Sequence, residues 1–198
     1  YVDTGAMYRT IALGLLRAGT DIEDASALKK QLSDIEVTIG YENGVQQVFL
    51  NGENVTGLIR TEQVSDMTSR SSAKPQVREK LTELQRTLAK KEDVLMDGRD
   101  IGTMILPDAQ LKIFLTASVK TRAERRYKEQ IEKGESCTLE EIERDIEERD
   151  YRDSHRETAP LRQAEDAVLV DSSDMTIDEV VAAIVALARE RMQMATCR

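Results

Sequence analysis

The sequence predicts an α/β protein in which a parallel sheet is flanked by helices. Three short apolar runs are typical of buried strands, namely Val94–Met96, Leu111–Leu115 and Ala167–Val170. Longer segments with apolar residues at helical spacing separate these runs, and this alternation is typical of parallel strands joined by crossover helices. The length is consistent with this fold class, because 198 residues suit one compact domain with a substantial core.

The remaining elements follow from local patterns along the chain. Tyr1-Val2 has the character of the end of a fourth strand. A helix from Met7 to Ala18 is apolar on one face and stops before Gly19, a residue favoured just past a helix end. Apolar stripes and caps place further helices at Asp24–Leu32, Pro75 to about Lys90, Ser118–Glu132, from about Thr138, and from about Thr176. We expect Met194–Arg198 to fray.

One stretch interrupts the alternation of strands and helices. Ile35–Ile39 alternates apolar and polar residues, Val45–Leu50 follows a turn, and Asn51-Gly52 precedes a short strand at Asn54-Val55. The sequence therefore predicts a small antiparallel insert at residues 34–60, within a core formed by residues 1–33 and 61–198.

Composition and charge narrow the class of protein. The net charge of −9 argues against a protein that coats nucleic acid, and no apolar run approaches the roughly 20 residues that span a bilayer. No basic leader or apolar signal core is present at the start. Cys137 and Cys197 lack neighbours at metal-ligand spacing, so we expect free thiols in a cytoplasmic protein.

Arginine is used more than lysine, with 18 arginines against 10 lysines. Eight of the arginines fall between Arg99 and Arg156. The planar guanidinium fork matches phosphate oxygens, so an acidic chain with clustered arginine is consistent with a focused anion site. On composition alone, ion pairs with the interleaved glutamates on helix surfaces are the simpler explanation.

Polar loops follow three of the predicted strands at their carboxyl ends, where open parallel sheets bind ligands. These loops are Asp3-Thr4-Gly5, Asp97-Gly98-Arg99-Asp100 and Asp171-Ser172-Ser173. Each alone is explained by a turn or a helix cap, and their coincidence favours one ligand crevice. In the second loop, Gly98 allows the backbone to approach a ligand closely. For Arg99 and Asp100, a surface ion pair between the two is the explanation that competes with a role in the ligand site.

A second group of arginines lies on two consecutive predicted helices. Arg149, Arg152, Asp153 and Arg156 are three or four residues apart and share a face, and Arg122, Arg125 and Arg126 do the same on the preceding helix. Two such faces would form a lid whose charge stabilises a transferring phosphoryl group. Exposed pairs with nearby glutamates are the alternative. The single histidine, His155, is expected at the surface of the lid helix.

Many short motifs, taken in their order and spacing, resemble those of the bacterial cytidylate kinases, within the nucleoside monophosphate kinase group. The similarity extends from the first residue to about Arg191. Its motifs are Tyr1–Arg9, Val55–Arg60, Pro75–Arg78, Asp97–Thr103, Pro107–Ala109, Lys112–Leu115, Glu148–Asp153 and Ala159–Leu161.

The resemblance implies both fold and activity. It implies a P-loop kinase-like parallel sheet with flanking helices, the small insert as part of the CMP-binding region, and a helical lid at about residues 122–156. The implied reaction is transfer of the ATP γ-phosphate to CMP, and to dCMP, giving CDP and ADP from Mg²⁺-bound ATP. The implied partners are nucleotides, without nucleic acid or membrane, and we expect a monomer.

The resemblance also implies roles at the matched positions. The CMP phosphate would be held by Arg9, Arg99 and Arg156, and the cytosine would be read by Ser69, Arg78 and Asp100. The ribose would be held by Asp153, oriented by Arg149, and Asp3 and Thr4 would line the same pocket. The ATP phosphates would lie under Arg125, Arg126 and Arg152 of the lid. Catalysis would fall to Arg99, Arg125, Arg126, Arg149 and Arg156, and no metal ligand is assigned within this chain.

One feature of the family pattern is missing from these 198 residues, the Gly-rich loop G-x-x-x-x-G-K-[ST]. That loop would supply backbone donors, a lysine and a Mg²⁺ ligand. We therefore expect the sequence to be incomplete at its N-terminus by roughly 30 residues, one βα unit; an intact mass of 22.3 kDa would contradict this.

Other classes of function stay open at this point. A non-catalytic remnant of the kinase fold that binds nucleotides or a partner is the main alternative. A sibling kinase acting on AMP or dTMP is a second, and an arginine-rich RNA-binding module is disfavoured by the net charge and the few aromatics.

Overall fold

The computed structural model describes residues 1–196 and divides into two compact units, Tyr1–Ile101 and a second from Gly102 onward. The strands are β1 (Val2–Asp3), β2 (Val37–Glu42), β3 (Val45–Leu50), β4 (Glu53–Asn54), β5 (Met96–Asp97), β6 (Ile113–Thr116) and β7 (Val168–Asp171). The α-helices are α1 (Thr4–Arg17), α2 (Ala25–Asp34), α3 (Glu62–Ser71), α4 (Pro75–Lys91), α5 (Val119–Glu132), α6 (Leu139–His155) and α7 (Ile177–Thr196). Among these residues, no helix combines the length and apolar composition that crossing a bilayer requires.

The predicted α/β class is confirmed, with helices around parallel strands. In the first unit β1 pairs with β5, with Val2 opposite Met96, and in the second unit β6 pairs with β7, with Ile113 opposite Val168. The strands begin one or two residues later than the apolar runs suggested. An apolar run indicates which residues are buried. The ends of a strand depend instead on which residues form hydrogen bonds with the neighbouring strand.

The core of the first unit forms around α1. Met7, Ile11 and Leu15 recur at helical spacing and are fully buried. They belong to one apolar cluster with residues of α2, the insert, α3 and α4. Gly14 marks a close approach, because a Cβ there would lie 2.8 Å from Ile35 Cδ1. The helix that carries the first sequence motif is thus held on several sides.

The antiparallel insert has the predicted order, with β3 between β2 and β4. Its turns use residues that tolerate positive φ, with Asn43 at φ 52° and Asn51 at φ 50°, each followed by a glycine. The third strand is shifted from Asn54-Val55 to Glu53–Asn54, because these two residues pair with Leu50 and Phe49. Val55 is instead fully buried in the core beneath.

Two helical elements were missing from the sequence prediction. Helix α3 is mostly polar and buries only three of its residues, Val64, Met67 and Ser71, which explains why it was overlooked. Its N-cap is Thr61, whose side chain accepts from the Val64 amide. A π-helix at Ile101–Ile105 follows Asp100 directly; such turns are rare and have no simple sequence pattern.

The second unit contains a helical hairpin with its own small core. Ala123 of α5 packs with Ile142 and Ile146 of α6. Helix α6 begins with the predicted capping box, in which Thr138 and Glu141 bond reciprocally. Helix α7 continues to Thr196, so the fraying expected from Met194 does not begin there. Cys137 is a free, half-buried thiol, and Cys197 lies outside the described residues.

Candidate active site

The end of β1 passes directly into α1, which corrects the prediction of an Asp3-Thr4-Gly5 loop. Asp3 is the N-cap of α1, and its Oδ1 accepts a hydrogen bond of 3.0 Å from the Ala6 amide. Thr4 is the first residue of the helix and is buried. The helix therefore starts three residues earlier than predicted, and Asp3 sits at the positive end of its dipole.

Thr4 links the ends of the two strands in the first unit. Its hydroxyl donates to the Asp97 carbonyl at 2.6 Å. A Cβ on Gly98 would lie 2.5 Å from Thr4 Oγ1 and 2.9 Å from Ile101 Cδ1. Gly98 is thus required by close packing within the protein, and its predicted approach to a ligand stays a prediction.

Asp100 forms a buried ion pair with Arg78, a partner that the sequence did not suggest. Arg78 Nη2 donates to Asp100 Oδ2, and both side chains are only 7% exposed. Arg78 Nη1 also donates to the carbonyl of Ser72, at 3.1 Å. The guanidinium carbon lies 5.6 Å from the centre of the Tyr8 ring, within the range of a cation–π contact.

These contacts bring together the residues expected to read a base. Arg78 and Asp100 pair directly, and Ser69 lies on α3 three residues before Ser72. Ser69 is half-buried, and its carbonyl accepts from the Ser72 hydroxyl at 3.3 Å. Arg78 and Asp100 are therefore in direct contact, and the backbone of Ser69 is linked to Arg78 through Ser72.

Arg9 donates hydrogen bonds to the end of the insert and to helix α3. Its Nη1 donates to the Ile59 carbonyl at 3.2 Å and to the Ser65 hydroxyl oxygen at 2.8 Å. The Ser65 hydroxyl in turn donates to the Thr61 carbonyl at 2.9 Å. Both of these partners of Arg9 are uncharged, so they orient the guanidinium without neutralising it.

The edge of the site at β1 and β5 is acidic. Desolvation raises the pKa of the Asp97 carboxyl, and the neighbouring Asp3 adds to this, while the Tyr1 hydroxyl and Arg99 oppose it. Partial burial and the Asp97 carboxylate together raise the pKa of Tyr1 to about 12. Arg99 itself is exposed. The carboxylates and Arg99 give this edge mixed charge.

In the second unit, Asp153 lies between two arginines of the same helix face. Arg149 Nε is 3.8 Å from Asp153 Oδ2, and Arg156 Nη1 is 3.7 Å from Asp153 Oδ1. Arg156 Nε also donates to the Ala159 carbonyl at 2.7 Å. Ala159 has φ of 50°, a left-handed conformation that turns the chain back toward α6.

The two arginine-rich helices are joined by an ion pair between them. Arg122 of α5 donates in a bidentate manner to Asp150 of α6, at 3.0 and 2.6 Å. Arg125 is also engaged structurally, because its Nη2 donates to the carbonyls of Ser172 at 2.6 Å and Met175 at 3.1 Å. These arginines are therefore not explained by exposed pairs with nearby glutamates, which was the alternative considered from the sequence.

Arg126 and Arg152 differ from Arg122 and Arg125 in their lack of protein partners among the described residues. Both are exposed, and within residues 1–196 neither guanidinium takes part in a hydrogen bond or ion pair. His155 is exposed, as predicted, and stacks on Tyr151 with ring centres 4.0 Å apart.

Some residues that shape this region were not singled out from the sequence. Tyr8 and Arg60 lie inside the quoted motifs but were given no role there. Ser65 lies on the overlooked helix α3. Gln46 lies in the insert and bonds to the backbone of Asp3; the sequence offered no signal for it, because a polar residue on a half-exposed strand is ordinary.

Comparisons with known proteins agree with this architecture. The family model described as cytidylate kinase matches residues 1–190. The chain is 50% identical over 191 residues to a cytidylate kinase of Ligilactobacillus salivarius (strain UCC118), covering 96% of this chain and 85% of that protein. It is 49% identical over 193 residues to one of Streptococcus pneumoniae (strain 70585), covering 97% and 86%.

A cytidylate kinase of Leuconostoc mesenteroides subsp. mesenteroides is 50% identical over 184 residues, covering 93% of this chain and 82% of that protein. The matched segment includes the ends of β1 and β5, the Arg78–Asp100 pair and the arginines of α5 and α6. The family model and the three relatives each match nearly the whole length of this chain. The chain therefore belongs to the cytidylate kinase family.

Proposed function

We propose that this protein is a phosphotransferase that moves the γ-phosphate of ATP to CMP, with dCMP as a second acceptor, releasing ADP and the cytidine diphosphate. Besides membership of the family, the observation that carries the proposal is the buried Arg78–Asp100 pair, which is linked to Ser69 through Ser72. A buried charged donor and acceptor held in a fixed arrangement are what selective recognition of a polar base edge requires.

Base selection follows from the hydrogen-bonding edge of cytosine. Its exocyclic amine is a donor, which suits the Asp100 carboxylate, and its N3 and carbonyl oxygen O2 are acceptors, which suit Arg78 and Ser69. Uracil presents an acceptor where cytosine presents the amine. It would face the Asp100 carboxylate with a lone pair, and a buried group left without its partner costs binding energy.

The rest of the acceptor nucleotide is assigned to the remaining polar side chains. Arg9, Arg99 and Arg156 would hold the phosphate, since guanidinium groups form forked bonds to phosphate oxygens. Asp153 would accept from the ribose hydroxyls, kept in place by Arg149. Asp3 and Thr4 would line the same pocket at the start of α1.

Transfer then requires alignment and charge stabilisation rather than covalent help from the protein. An oxygen of the CMP phosphate forms a bond to the γ-phosphorus, while the bond from that phosphorus to the β–γ bridging oxygen breaks and ADP leaves. Arg99, Arg149 and Arg156 would stabilise the acceptor side of the charge that develops.

Residues Arg125, Arg126 and Arg152 would stabilise the donor side. Arg126 and Arg152 are better suited to this role than Arg125, because the guanidinium of Arg125 already donates to Ser172 and Met175.

ATP would bring its own Mg²⁺. This ion prefers six oxygen ligands and usually keeps waters and substrate phosphates among them. The described residues contain no group of three or more His, Cys, Asp or Glu placed to hold a metal. The proposal also makes the protein a cytoplasmic monomer whose partners are nucleotides.

The test is a coupled assay of ADP release with Mg²⁺-ATP and a panel of acceptors: CMP, dCMP, UMP, AMP and dTMP. The expected result is turnover with CMP and dCMP, and at least about tenfold lower kcat/KM with UMP, the cost of one mismatched hydrogen bond. Turnover with AMP or dTMP but not CMP would contradict the proposal in favour of a sibling kinase. Calorimetric CMP binding without any turnover would favour the non-catalytic alternative.

A further inference from the structure

Strand β1 has two edges, and within residues 1–196 only the edge facing β5 is paired with another strand. The Val2 amide donates to the Leu95 carbonyl at 2.8 Å, so the backbone groups of Val2 face β5. Consecutive residues of a strand direct their backbone groups to opposite edges. The amide and carbonyl of Asp3 therefore face away from β5, toward the insert.

At that edge the side chain of Gln46 takes the place of a neighbouring strand. Gln46 Oε1 accepts from the Asp3 amide at 2.8 Å, and Gln46 Nε2 donates to the Asp3 carbonyl at 3.2 Å. One carboxamide thus satisfies both backbone groups of Asp3 that β5 cannot reach. Unpaired strand edges are costly when buried and prone to wrong pairing when open.

The same part of the insert makes a further hydrogen bond, to the residue that directly precedes β1. Tyr41 lies opposite Gln46 in the β2–β3 ladder, and its hydroxyl donates to the Tyr1 carbonyl at 2.6 Å. Arg60, the last residue of the insert, has its Nη2 3.3 Å from Asp3 Oδ2. The contacts of Gln46 are therefore part of a consistent attachment of the insert to the end of β1.

We propose that Gln46 is a positioning residue for the acceptor site, acting through the backbone of Asp3. This inference rests on the proposed function, in which Asp3 and Thr4 line the CMP pocket and Arg9 holds the CMP phosphate. Because Asp3 caps α1, a shift of its backbone would move the start of the helix that carries Thr4 and Arg9. The insert would then contribute to CMP binding without a direct contact to the nucleotide.

The neighbouring residue supplies a matched control. Gln47 is also half-buried but points to the other face of β3. Its side-chain bonds remain within the insert, to the Val45 carbonyl and from Asn54. Gln46→Ala and Gln47→Ala therefore remove the same chemical group from the same strand, and only the first affects Asp3.

The first measurement is hydrogen exchange of the Asp3 amide by NMR. In Gln46→Ala this amide should exchange roughly five to thirty times faster than in the wild type, which corresponds to the loss of one or two hydrogen bonds. In Gln47→Ala it should exchange at the wild-type rate. Gln46→Glu keeps the acceptor for the amide but loses the donor to the carbonyl, so its rate should be intermediate.

The second measurement is calorimetric affinity for CMP and for ATP. Gln46→Ala should weaken CMP binding up to about tenfold and leave ATP binding unchanged. A general loss of structure would weaken both and lower the melting temperature. If Gln46→Ala folds poorly, Gln46→Glu is compared with Gln47→Glu in the same way.

Each outcome decides the inference. Unchanged exchange at Asp3 in Gln46→Ala would disprove the backbone attachment, and faster exchange with unaltered CMP affinity would disprove the positioning role. If the wild-type protein does not bind CMP at all, the proposed function fails and the positioning role fails with it. The exchange rates would still determine whether Gln46 pairs with Asp3.

Discussion

At the scale of single residues, the Arg78–Asp100 ion pair has a structural role, and the proposed function adds a role in recognising the base. Both are nearly buried, and Arg78 is held additionally by the Ser72 carbonyl and the Tyr8 ring. Buried ion pairs contribute little net stability, because desolvation offsets most of their attraction. The proposed recognition of a polar base therefore gives this buried pair a role that stability alone does not.

Replacing Asp100 with Ala should therefore reduce both stability and CMP binding. Arg78 would be left buried without its carboxylate, and the expected loss is about 3–5 kcal/mol in the free energy of unfolding. Urea denaturation measures the stability, and calorimetry measures CMP and ATP binding, of which only CMP binding should weaken directly.

A double variant separates the two effects. Arg78→Met with Asp100→Leu replaces the pair by apolar groups of similar size and should recover much of the stability. CMP binding should remain lost in this variant. If the double variant binds CMP like the wild type, neither residue reads the base.

Asp97 gives a pH-dependent prediction. Its pKa in the folded state lies above the ordinary value of 3.8, chiefly because of desolvation and then because of Asp3. A raised pKa means that the folded state favours the protonated carboxyl, so this contribution is complete below pH 3.8 and is lost as the pH rises through the folded pKa.

Asp97→Asn should accordingly gain stability relative to the wild type as the pH rises, because the amide never acquires the unfavourable charge. The difference between the two midpoints of unfolding should be smallest below pH 3.8 and constant near neutrality. Thermal scans across this range test the prediction. A difference that is largest in acid would mean that the carboxylate is stabilised rather than destabilised by its surroundings.

At the scale of elements, the loop between β5 and the π-helix depends on a glycine. Gly98→Ala would place a Cβ 2.5 Å from Thr4 Oγ1, where the hydroxyl bonds the Asp97 carbonyl. Overpacking of this kind costs about 1–3 kcal/mol. The variant should be less stable by this amount in urea denaturation, and α1 should lose hydrogen-exchange protection at its first turn.

Gly57→Ala is the matched control, because nothing lies within 4 Å of a Cβ built there. Its stability should equal or slightly exceed that of the wild type, since alanine reduces the entropy of the unfolded chain. If both variants were equally stable, the close approach of Thr4 to Gly98 would not exist in solution.

The elements also show what could be predicted from the sequence. The insert, α4 and α6 were predicted well because hairpin turns, Pro75 and the Thr138–Glu141 box are local signals that the chain obeys. Helix α3 was missed because its buried face is short, and the start of α1 was misplaced because Asp3 could equally end a strand or cap a helix.

Pairing between distant residues accounts for most of what the sequence did not reveal. The attachment of Gln46 to Asp3, of Arg78 to Asp100 and of Arg125 to Ser172 each joins residues more than 20 positions apart. The resemblance of the motifs identified the candidate site residues. The contacts between these residues could be seen only in the folded structure. Their assigned roles in binding remain predictions.

At the scale of the whole molecule, the chain combines an acidic net charge of −9 with arginines concentrated on α5 and α6. In the first unit, uncharged acceptors orient Arg9, and Arg78 and Asp100 neutralise each other. In the second unit, Arg149 and Arg156 bracket Asp153, while Arg126 and Arg152 are exposed. Under the proposed function, these guanidinium groups would contact the phosphates of the nucleotides.

The most direct test of the account is calorimetric titration of the purified protein with CMP, cytidine and AMP under identical conditions. The account predicts measurable binding of CMP, much weaker binding of cytidine because the phosphate contacts are lost, and weaker binding of AMP because adenine does not match Arg78 and Asp100. Equal affinity for CMP and AMP, or no binding of CMP at all, would contradict it.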